Sequence, residues 1–318
     1  MKIVVLDGHT LDPGDNPWTS IEAQGELIVF DRTSPDRIVE RAAPADIILT
    51  NKTPLTADAL DRLPGLKFIS VLATGFNVVD VQAARRRGVP VSNVPVYGTD
   101  SVAQFVFTLL LELCHHAGLH DASVHQGEWS GCPDFCYWKA PLIELSGRTM
   151  GLVGFGRIGR RVGALAHAFG MDVIAQDPVR GGDPGPTPFQ WASMEEVFGR
   201  ADVVSLHCPQ TADNQEFVDR SLLERMGPHA FLINTARGGL VNEPDLAQAL
   251  NAGKIAGAAV DVVSSEPIRP GNPLLKAKNC IVTPHQAWAT LAARQRLMQT
   301  TAGNIAAFIQ GKPIHVVN

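Results

Sequence analysis

The chain has 318 residues, which predicts about two domains, and 45% of the residues are hydrophobic, as in globular proteins with sizeable cores. Its net charge is −5 and its longest basic run is Arg85-Arg86-Arg87, so it lacks the charge pattern of a nucleic-acid binder. Its most apolar run, 102–114, is too short to span a bilayer. Five scattered cysteines suit a reducing cytoplasm better than a disulfide framework, which leaves a cytoplasmic enzyme or binding protein of two domains.

The first third of the chain alternates between short apolar runs and helical patterns. The apolar runs predict strands at 2–6, 27–30, 46–50, 67–72 and 89–94, and the helical patterns predict helices at 35–43, 57–63 and 79–87. Ser34 and Thr56 stand where helix N-caps are expected. Strands that are apolar throughout and alternate with helices indicate a parallel sheet covered on both faces.

A long apolar helix is predicted over 101–118, because apolar residues recur there at helical spacing. An irregular stretch, 126–146, follows it and holds a large share of the aromatic residues, namely Trp129, Phe135, Tyr137 and Trp138. Long loops of this kind are usually functional or form oligomer contacts, and aromatic side chains are enriched in interfaces. The aromatic loop could instead pack within its own chain, but the long apolar helix ahead of it favours a homodimer. Cys132 and Cys136 lack a second ligand pair, so no metal site is expected.

The alternation then resumes over the second half of the chain. Strands are predicted at 149–153, 172–176, 202–207, 230–234, 256–262 and 280–283, and helices at 158–169, 194–198, 221–226 and 244–251. A final long helix is predicted at 291–310, and no strand follows it. We therefore expect this last helix to return to the block formed by the first third of the chain.

A glycine motif directly follows the strand predicted at 149–153. Gly154, Gly156 and Gly159 match G-x-G-x-x-G and open a helix, and the next strand ends in Asp177, near the usual spacing of about 20 residues. Glycines let the backbone turn tightly and approach a pyrophosphate, which the N–H groups and dipole of the helix N-terminus attract. The Asp177 carboxylate would accept hydrogen bonds from ribose hydroxyls and repel a 2′-phosphate. The motif therefore predicts a dinucleotide site that prefers NAD(H) to NADP(H).

Three polar segments follow strands that are predicted later in the chain. Arg237 comes shortly after Asn234, Glu266 lies in a Ser-Glu-Pro segment, and His285 follows Thr283-Pro284. Ligands of open α/β sheets bind at the carboxyl ends of strands, so these side chains are expected on the cofactor side. Arginine can hold a carboxylate with its fork, histidine can donate a proton, and a carboxylate can orient the histidine. The set predicts carbonyl reduction, with Arg237, Glu266 and His285 as catalytic residues.

In their order and spacing these motifs resemble the D-isomer-specific 2-hydroxyacid dehydrogenase family over essentially the whole chain. The resemblance implies an α/β fold with a Rossmann dinucleotide-binding domain and a flavodoxin-like, doubly wound substrate domain. It implies that the Thr74 and Gly75 backbone N–H groups bind the substrate carboxylate together with Arg237. It also implies cofactor contacts at Gly154, Gly156, Arg157, Ile158, Gly159, Asp177, Cys208, Pro209, Thr235, Ala236 and Asp261, the last at the nicotinamide amide.

Within this family, the stretches 72–80, 137–142 and 285–289 resemble the glycerate dehydrogenase (hydroxypyruvate reductase) branch. That branch implies reduction of hydroxypyruvate to D-glycerate with NADH, and of glyoxylate to glycolate as a side activity. Trp288 next to the cleft would narrow it towards a short substrate. Lys52 is a further candidate for substrate contact, and a solvated loop lysine is an equally good interpretation of it.

The motifs also predict the domain order. The NAD-binding domain is expected at 99–287, and the discontinuous substrate (lid) domain at 1–98 and 288–318, an arrangement suited to hinge closure. Three other functions remain open. They are a reductase of another 2-oxo acid, a phosphite- or formate-type dehydrogenase on the same scaffold, and an NAD-sensing binding protein similar to the transcriptional corepressors that resemble this family.

Overall fold

The structure is a computed structural model that describes residues 1–181, 185 and 188–318. The chain forms two units, one of Met1–Gly98 with Ala289–Asn318 and one of Thr99–Trp288. Trp288 thus falls in the unit that contains the glycine motif, one residue beyond the expected boundary. The substrate-binding and cofactor-binding roles assigned to the two units stay predictions.

A five-stranded parallel sheet runs through the first unit, in the order β2-β1-β3-β4-β5. This is the strand order of flavodoxin-like folds. Its strands are β1 (Lys2–Val5), β2 (Glu26–Val29), β3 (Ile47–Thr50), β4 (Phe68–Val71) and β5 (Val91–Ser92). Its helices are α1 (Thr19–Glu22), α2 (Ile38–Ala42), α3 (Ala57–Asp61) and α4 (Val81–Arg86), with 3-10 turns at Gly8–Thr10 and Pro35–Arg37.

The second unit contains a seven-stranded parallel sheet in the order β12-β11-β10-β9-β6-β7-β8. Its strands are β6 (Thr149–Val153), β7 (Asp172–Gln176), β8 (Phe189–Trp191), β9 (Val203–Leu206), β10 (Phe231–Asn234), β11 (Gly257–Val260) and β12 (Cys280–Val282). Read from β8, this is the Rossmann order with one additional strand, and the order reverses between β6 and β9. The predicted α/β fold class is confirmed.

Helices cover both faces of the second sheet. They are α5 (Thr99–His115), α6 (Ala117–His125), α7 (Arg157–Ala168), α8 (Met194–Arg200), α9 (Arg220–Leu223) and α10 (Glu243–Asn251), with 3-10 turns at Ala212–Asn214, Gly238–Leu240 and Pro273–Lys276. Successive strand residues belong to different cores, because their side chains alternate between faces. Val204 packs with residues of α8 to α10, and Val203 packs with residues of α5 and α7.

The last helix, α11 (Leu291–Ile309), packs within the first unit. It contacts α1 and β4, and the ring of Phe308 stacks on that of Phe68 at a centroid distance of 4.5 Å. The chain end then pairs with β5, where the Val317 N–H donates to the Val91 carbonyl. The N-terminal and C-terminal segments therefore share one hydrophobic core.

Helix α1 (Thr19–Glu22) was not predicted, and three further elements differ from the sequence prediction. The long apolar helix ends at His115 rather than at 118, because His116 adopts a left-handed conformation with φ of 50° and a second helix, α6, begins after it. This second helix was not predicted, since only Ser123 in it is buried and it has no apolar stripe. Strand β8 was also missed, because it is a three-residue edge strand.

Of the two predicted N-caps, one forms and the other does not. Thr56 caps α3 by accepting the Ala59 N–H, as predicted, whereas Ser34 makes no capping hydrogen bond.

Among the residues that the structure describes, no single helix is long and apolar enough to cross a membrane, and only the bent pair α5–α6 meets that test by length and composition.

Candidate active site

The glycine turn between β6 and α7 is shaped by steric demands that differ at each glycine. Gly154 has φ of +92°, and a Cβ there would lie 2.6 Å from the backbone nitrogen of Cys208. A Cβ on Gly159 would overlap the Gly154 carbonyl. A Cβ on Gly156, in contrast, would meet no atom within 4 Å. The first and third glycines thus allow the tight turn, while the second leaves open space where a phosphate could approach the backbone.

Asp177 lies at the end of β7 and is hydrogen-bonded to the same turn. Its Oδ2 accepts the Phe155 N–H at 2.7 Å, and its Oδ1 accepts the Val179 N–H at 2.8 Å. A carboxylate oxygen has two acceptor positions, so among the described residues each oxygen retains one. The structure therefore places this carboxylate beside the glycine turn, as the predicted role in ribose binding requires.

The segments after β9 and β10 follow neighbouring strands, and β9 borders the point where the strand order reverses. Cys208 follows β9 and lies against Gly154, and burial raises the pKa of its thiol to about 11, so it remains protonated. Thr235 follows β10, and its buried Oγ1 has no hydrogen-bond partner in the described part of the chain. An unsatisfied buried hydroxyl at the carboxyl end of a strand fits a bound polar group. These features fit a dinucleotide held by the predicted cofactor residues.

His207, directly after β9, couples folding to pH. It is partly buried beside Ser205, and desolvation lowers the pKa of His207 from 6.5 to about 3. The unfolded chain binds this proton more readily, so the stability contributed by His207 is complete above its ordinary pKa and is lost as pH falls below it. From pH 7 to pH 5 the loss should be about 2 kcal/mol of unfolding free energy.

We expect denaturant unfolding to show that pH dependence in the wild type and to show less of it in His207→Gln. His125→Gln is the matched control, because the His125 side chain is 80% exposed. Equal pH slopes in the wild type and in His207→Gln would contradict this prediction.

Glu266 and His285 form a hydrogen-bonded pair. Glu266 Oε2 lies 2.6 Å from His285 Nδ1, and Glu266 Oε1 accepts the Val263 N–H at 3.3 Å. Their side chains are 33% and 27% exposed, so the pair is reachable by a small molecule. The contact through Nδ1 fixes the ring and leaves Nε2 directed elsewhere, which suits a proton donor. The structure thus brings together two of the three residues predicted to be catalytic.

Asp261 holds the turn that carries His285. This carboxylate is 1% exposed, and it accepts hydrogen bonds from Thr283 Oγ1 at 2.6 Å, the Gln286 N–H at 2.9 Å and the Ala287 N–H at 2.8 Å. His285 itself has φ of 53°, an unusual conformation for a non-glycine residue. Asp261 was predicted at the nicotinamide amide. The structure shows that three of its roughly four acceptor positions already support this turn.

Arg237 projects from the turn after β10 and is exposed. The buried side chain of Asn234 braces that turn, donating to the Arg237 carbonyl at 2.9 Å and accepting the Ala236 N–H at 3.0 Å. Within the described residues, the Arg237 guanidinium pairs with no carboxylate and donates to the Ala236 carbonyl at 2.6 Å. It is therefore available to bind a ligand carboxylate.

Gly238, in the turn that follows Arg237, is in close backbone contact with the segment that carries Glu266. A Cβ on Gly238 would overlap the backbone of Val263 and Ser264, so the two chain segments touch at this glycine. The carboxyl ends of β10, β11 and β12 are also in register, with Asn234 beside Val260 and Val260 beside Val282. The three predicted catalytic segments therefore leave adjacent strands at one edge of the sheet.

The predicted substrate residues of the first unit lie in two loops. Thr74 and Gly75 follow β4, and neither of their backbone N–H groups has an acceptor among the residues that the structure describes. Lys52 is exposed in the turn after β3. That turn is held by Asp7, which sequence reasoning missed; its carboxylate accepts the N–H groups of Lys52 and its two neighbours, Asn51 and Thr53. The only sequence signal for Asp7 was a carboxylate directly after a buried strand.

Comparison with known proteins decides the family. Residues 107–287 match the family model described as D-isomer specific 2-hydroxyacid dehydrogenase, NAD binding domain. The chain is 47% identical to a hydroxypyruvate reductase of Blautia hydrogenotrophica, with 100% of both chains covered. The chain belongs to the D-isomer-specific 2-hydroxyacid dehydrogenase family. It is thus an oxidoreductase that acts on the CH–OH group of 2-hydroxy acids.

Two further similarities cover nearly all of this dehydrogenase. It is 39% identical to a glycerate dehydrogenase of Methylorubrum extorquens, over 99% of this chain and 98% of the relative. Among solved structures, it is similar to an acyclic imino acid reductase in complex with NADPH and D-Arg, with a TM-score of 0.87, 29% identity and 100% of both chains covered. The fold and the NAD-binding family are therefore established.

Proposed function

We propose that this dehydrogenase reduces hydroxypyruvate to D-glycerate with NADH, and glyoxylate to glycolate as a second activity. The observation that carries the proposal is the Glu266–His285 pair, with Glu266 Oε2 2.6 Å from His285 Nδ1. Arg237 follows β10, a neighbouring strand of the same sheet, and its guanidinium has no carboxylate partner among the described residues. The relatives named hydroxypyruvate reductase and glycerate dehydrogenase support this substrate class.

Each catalytic residue has a distinct task in the proposed reaction. Arg237 binds the substrate carboxylate through two parallel hydrogen bonds. His285 donates the proton from Nε2 to the carbonyl oxygen as negative charge develops on it, and Glu266 stabilises the imidazolium through Nδ1. When bound, NADH supplies the hydride to C2. One 2-oxo acid, one NADH and one proton thus give one 2-hydroxy acid and NAD⁺.

A substrate panel tests this function. Hydroxypyruvate, glyoxylate, pyruvate and phenylpyruvate should each be assayed with NADH and with NADPH, with the highest kcat/KM expected for hydroxypyruvate and NADH. A preference for phenylpyruvate would indicate a reductase of bulkier 2-oxo acids. Oxidation of phosphite or formate with NAD⁺ would indicate the phosphite- or formate-type activity. Tight NADH binding without turnover of any substrate would indicate a cofactor-sensing protein.

We propose that Asp177 makes the enzyme prefer NADH to NADPH. A 2′-phosphate beside this carboxylate meets like-charge repulsion, which should lower kcat/KM for NADPH on the order of 100-fold. Asp177→Asn keeps an acceptor for the Phe155 N–H and removes the charge. It should therefore lower the ratio of kcat/KM for NADH to kcat/KM for NADPH. The nearby Arg180 would favour the phosphate once that charge is gone. An unchanged ratio in the variant would remove Asp177 from this role.

We further propose a homodimer in a reducing cytoplasm. The irregular loop predicted to form the dimer contact exposes four large apolar side chains, at 51% for Trp129, 89% for Phe135, 67% for Trp138 and 53% for Leu142. Exposed apolar groups of this size are typical of protein contacts. Light scattering should give twice the mass of one chain, and Phe135→Ser with Trp138→Ser should lower it. A wild-type monomer at assay concentration would contradict the dimer.

All five cysteines are free, in agreement with a reducing compartment.

A further inference from the structure

A second buried carboxylate lies next to the catalytic segments. Glu243, the first residue of α10, is 8% exposed. Its Oε1 accepts the Ser264 N–H at 2.6 Å, and its Oε2 accepts the Ser264 hydroxyl at 2.8 Å and the Asn272 side-chain N–H at 2.8 Å. Within the described residues, no cation forms an ion pair with it.

A buried carboxylate without a cation is costly unless its oxygens are well hydrogen-bonded. Two of the three hydrogen bonds that compensate Glu243 come from one residue, Ser264. That bidentate contact fixes both the backbone and the side chain of Ser264. The N-terminus of α10 also favours a negative charge at this position. Glu243 is therefore a strong anchor for one short segment of the chain.

That segment carries the catalytic carboxylate. Ser264 lies two residues before Glu266, and the preceding Val263 N–H donates to Glu266 Oε1 at 3.3 Å. The other oxygen of Glu266 contacts His285 Nδ1 at 2.6 Å. The Val263–Ser264 backbone also lies against Gly238, where no side chain would fit. The orientation of Glu266 thus depends on a backbone segment that is held by Glu243 and packs against Gly238.

We propose that Glu243 is a positioning residue for the reduction, because it fixes Ser264 and Val263 so that Glu266 orients His285. The inference rests on the proposed function, in which His285 is the proton donor. Glu243 acts through Ser264 and Glu266 and touches neither substrate nor cofactor in this scheme. Its contribution should therefore appear in turnover rather than in binding of NADH.

Glu243→Gln tests the proposal. The amide retains one acceptor for the Ser264 N–H but loses the charge and presents a donor to Asn272. A misplacement of the His285 ring by a fraction of an ångström should lower kcat on the order of 10- to 100-fold. The dissociation constant of NADH, measured by fluorescence, should stay within about twofold. Expressing kcat per NADH-binding site removes any loss that is due to unfolded protein.

The matched control is Glu196→Gln. Glu196 also lies in the first turn of a helix, α8, and accepts a backbone N–H, that of Ser193, at 2.7 Å. Its kcat per binding site should equal that of the wild type. An equal loss of kcat per binding site in both variants would show that the effect is not specific to Glu243 and would overturn the positioning role. Ser264→Ala, which removes only the hydroxyl donor, provides a milder test and should give a smaller loss in the same direction.

A second readout does not depend on activity. The short contact between His285 Nδ1 and Glu266 should give a strongly downfield ring N–H proton resonance at low temperature, assigned by its loss in His285→Gln. This resonance should shift upfield or broaden in Glu243→Gln and persist unchanged in Glu196→Gln. An unchanged resonance together with unchanged kcat in Glu243→Gln would overturn the inference. If the wild type reduces none of the 2-oxo acids, the proposed function fails, while the resonance still decides whether Glu243 orients the pair.

Discussion

Replacing His285 with glutamine is expected to lower kcat for 2-oxo acid reduction roughly 10²- to 10⁴-fold, the usual contribution of a positioned general acid. Glutamine retains a hydrogen-bond donor that can reach Glu266 but cannot release a proton to the developing alkoxide. The variant should bind NADH as the wild type does, because the glycine turn and Asp177 follow β6 and β7, whereas His285 follows β12. Steady-state kinetics and NADH fluorescence titration measure the two quantities separately.

The reverse reaction provides an additional check on His285. The imidazole that gives its proton to the alkoxide in reduction takes a proton from the hydroxyl in oxidation of the 2-hydroxy acid. The variant should therefore lose turnover in both directions. His125→Gln, in which an 80% exposed histidine of α6 is replaced, is the control and should keep native kinetics. Near-native turnover of His285→Gln would exclude it as the proton donor.

Arg237→Lys is expected to raise KM for the 2-oxo acid roughly 10- to 100-fold, because one charge-assisted hydrogen bond of a bidentate pair is lost. Lysine keeps the positive charge but presents it as a point, without the planar fork that matches a carboxylate. A smaller loss in kcat should accompany the change, since the guanidinium also polarises the adjacent carbonyl. Initial-rate measurements over a range of hydroxypyruvate concentrations separate KM from kcat.

The control for this variant is Arg225→Lys, because Arg225 is exposed after α9, away from the three predicted catalytic segments of the sequence. It should leave both kinetic constants unchanged. An Arg237→Lys enzyme with native KM for hydroxypyruvate would show that the substrate carboxylate binds elsewhere. In that case the first-unit N–H groups of Thr74 and Gly75 would be the remaining candidates among the predicted residues.

Local features of the sequence were sufficient to predict most elements of both sheets. Strands that are buried on both faces are apolar throughout, and helices repeat their apolar residues at a different period, so the two patterns separate without knowledge of the fold. The prediction failed where the element is very short, as in the four-residue helix α1, or where burial is slight. Helix α6 buries only Ser123, and β8 has three residues at a sheet edge, so neither has a hydrophobic pattern to detect.

The candidate site shows the same division. Arg237, Glu266 and His285 were predicted because each follows a strand, and strand ends gather at one edge of a parallel sheet. Asp7, Asp261 and Glu243 have supporting roles that only coordinates reveal. The hydrogen bonds of Glu243 to Ser264 span 21 residues of sequence, and those of Asp7 to the Lys52 turn span about 45. No periodicity or short motif encodes a contact at such separations.

The sequence by itself therefore determined the α/β class, the dinucleotide motif and the family of this dehydrogenase. The fold class follows from the period at which hydrophobic residues recur. The dinucleotide motif follows from glycines that the local turn of the chain requires. The tertiary structure alone decided how the catalytic side chains are held. Buried carboxylates need hydrogen-bond donors, and those donors are backbone N–H groups that every residue carries, so the partners of Asp261 and Glu243 become apparent only when the loops are brought together.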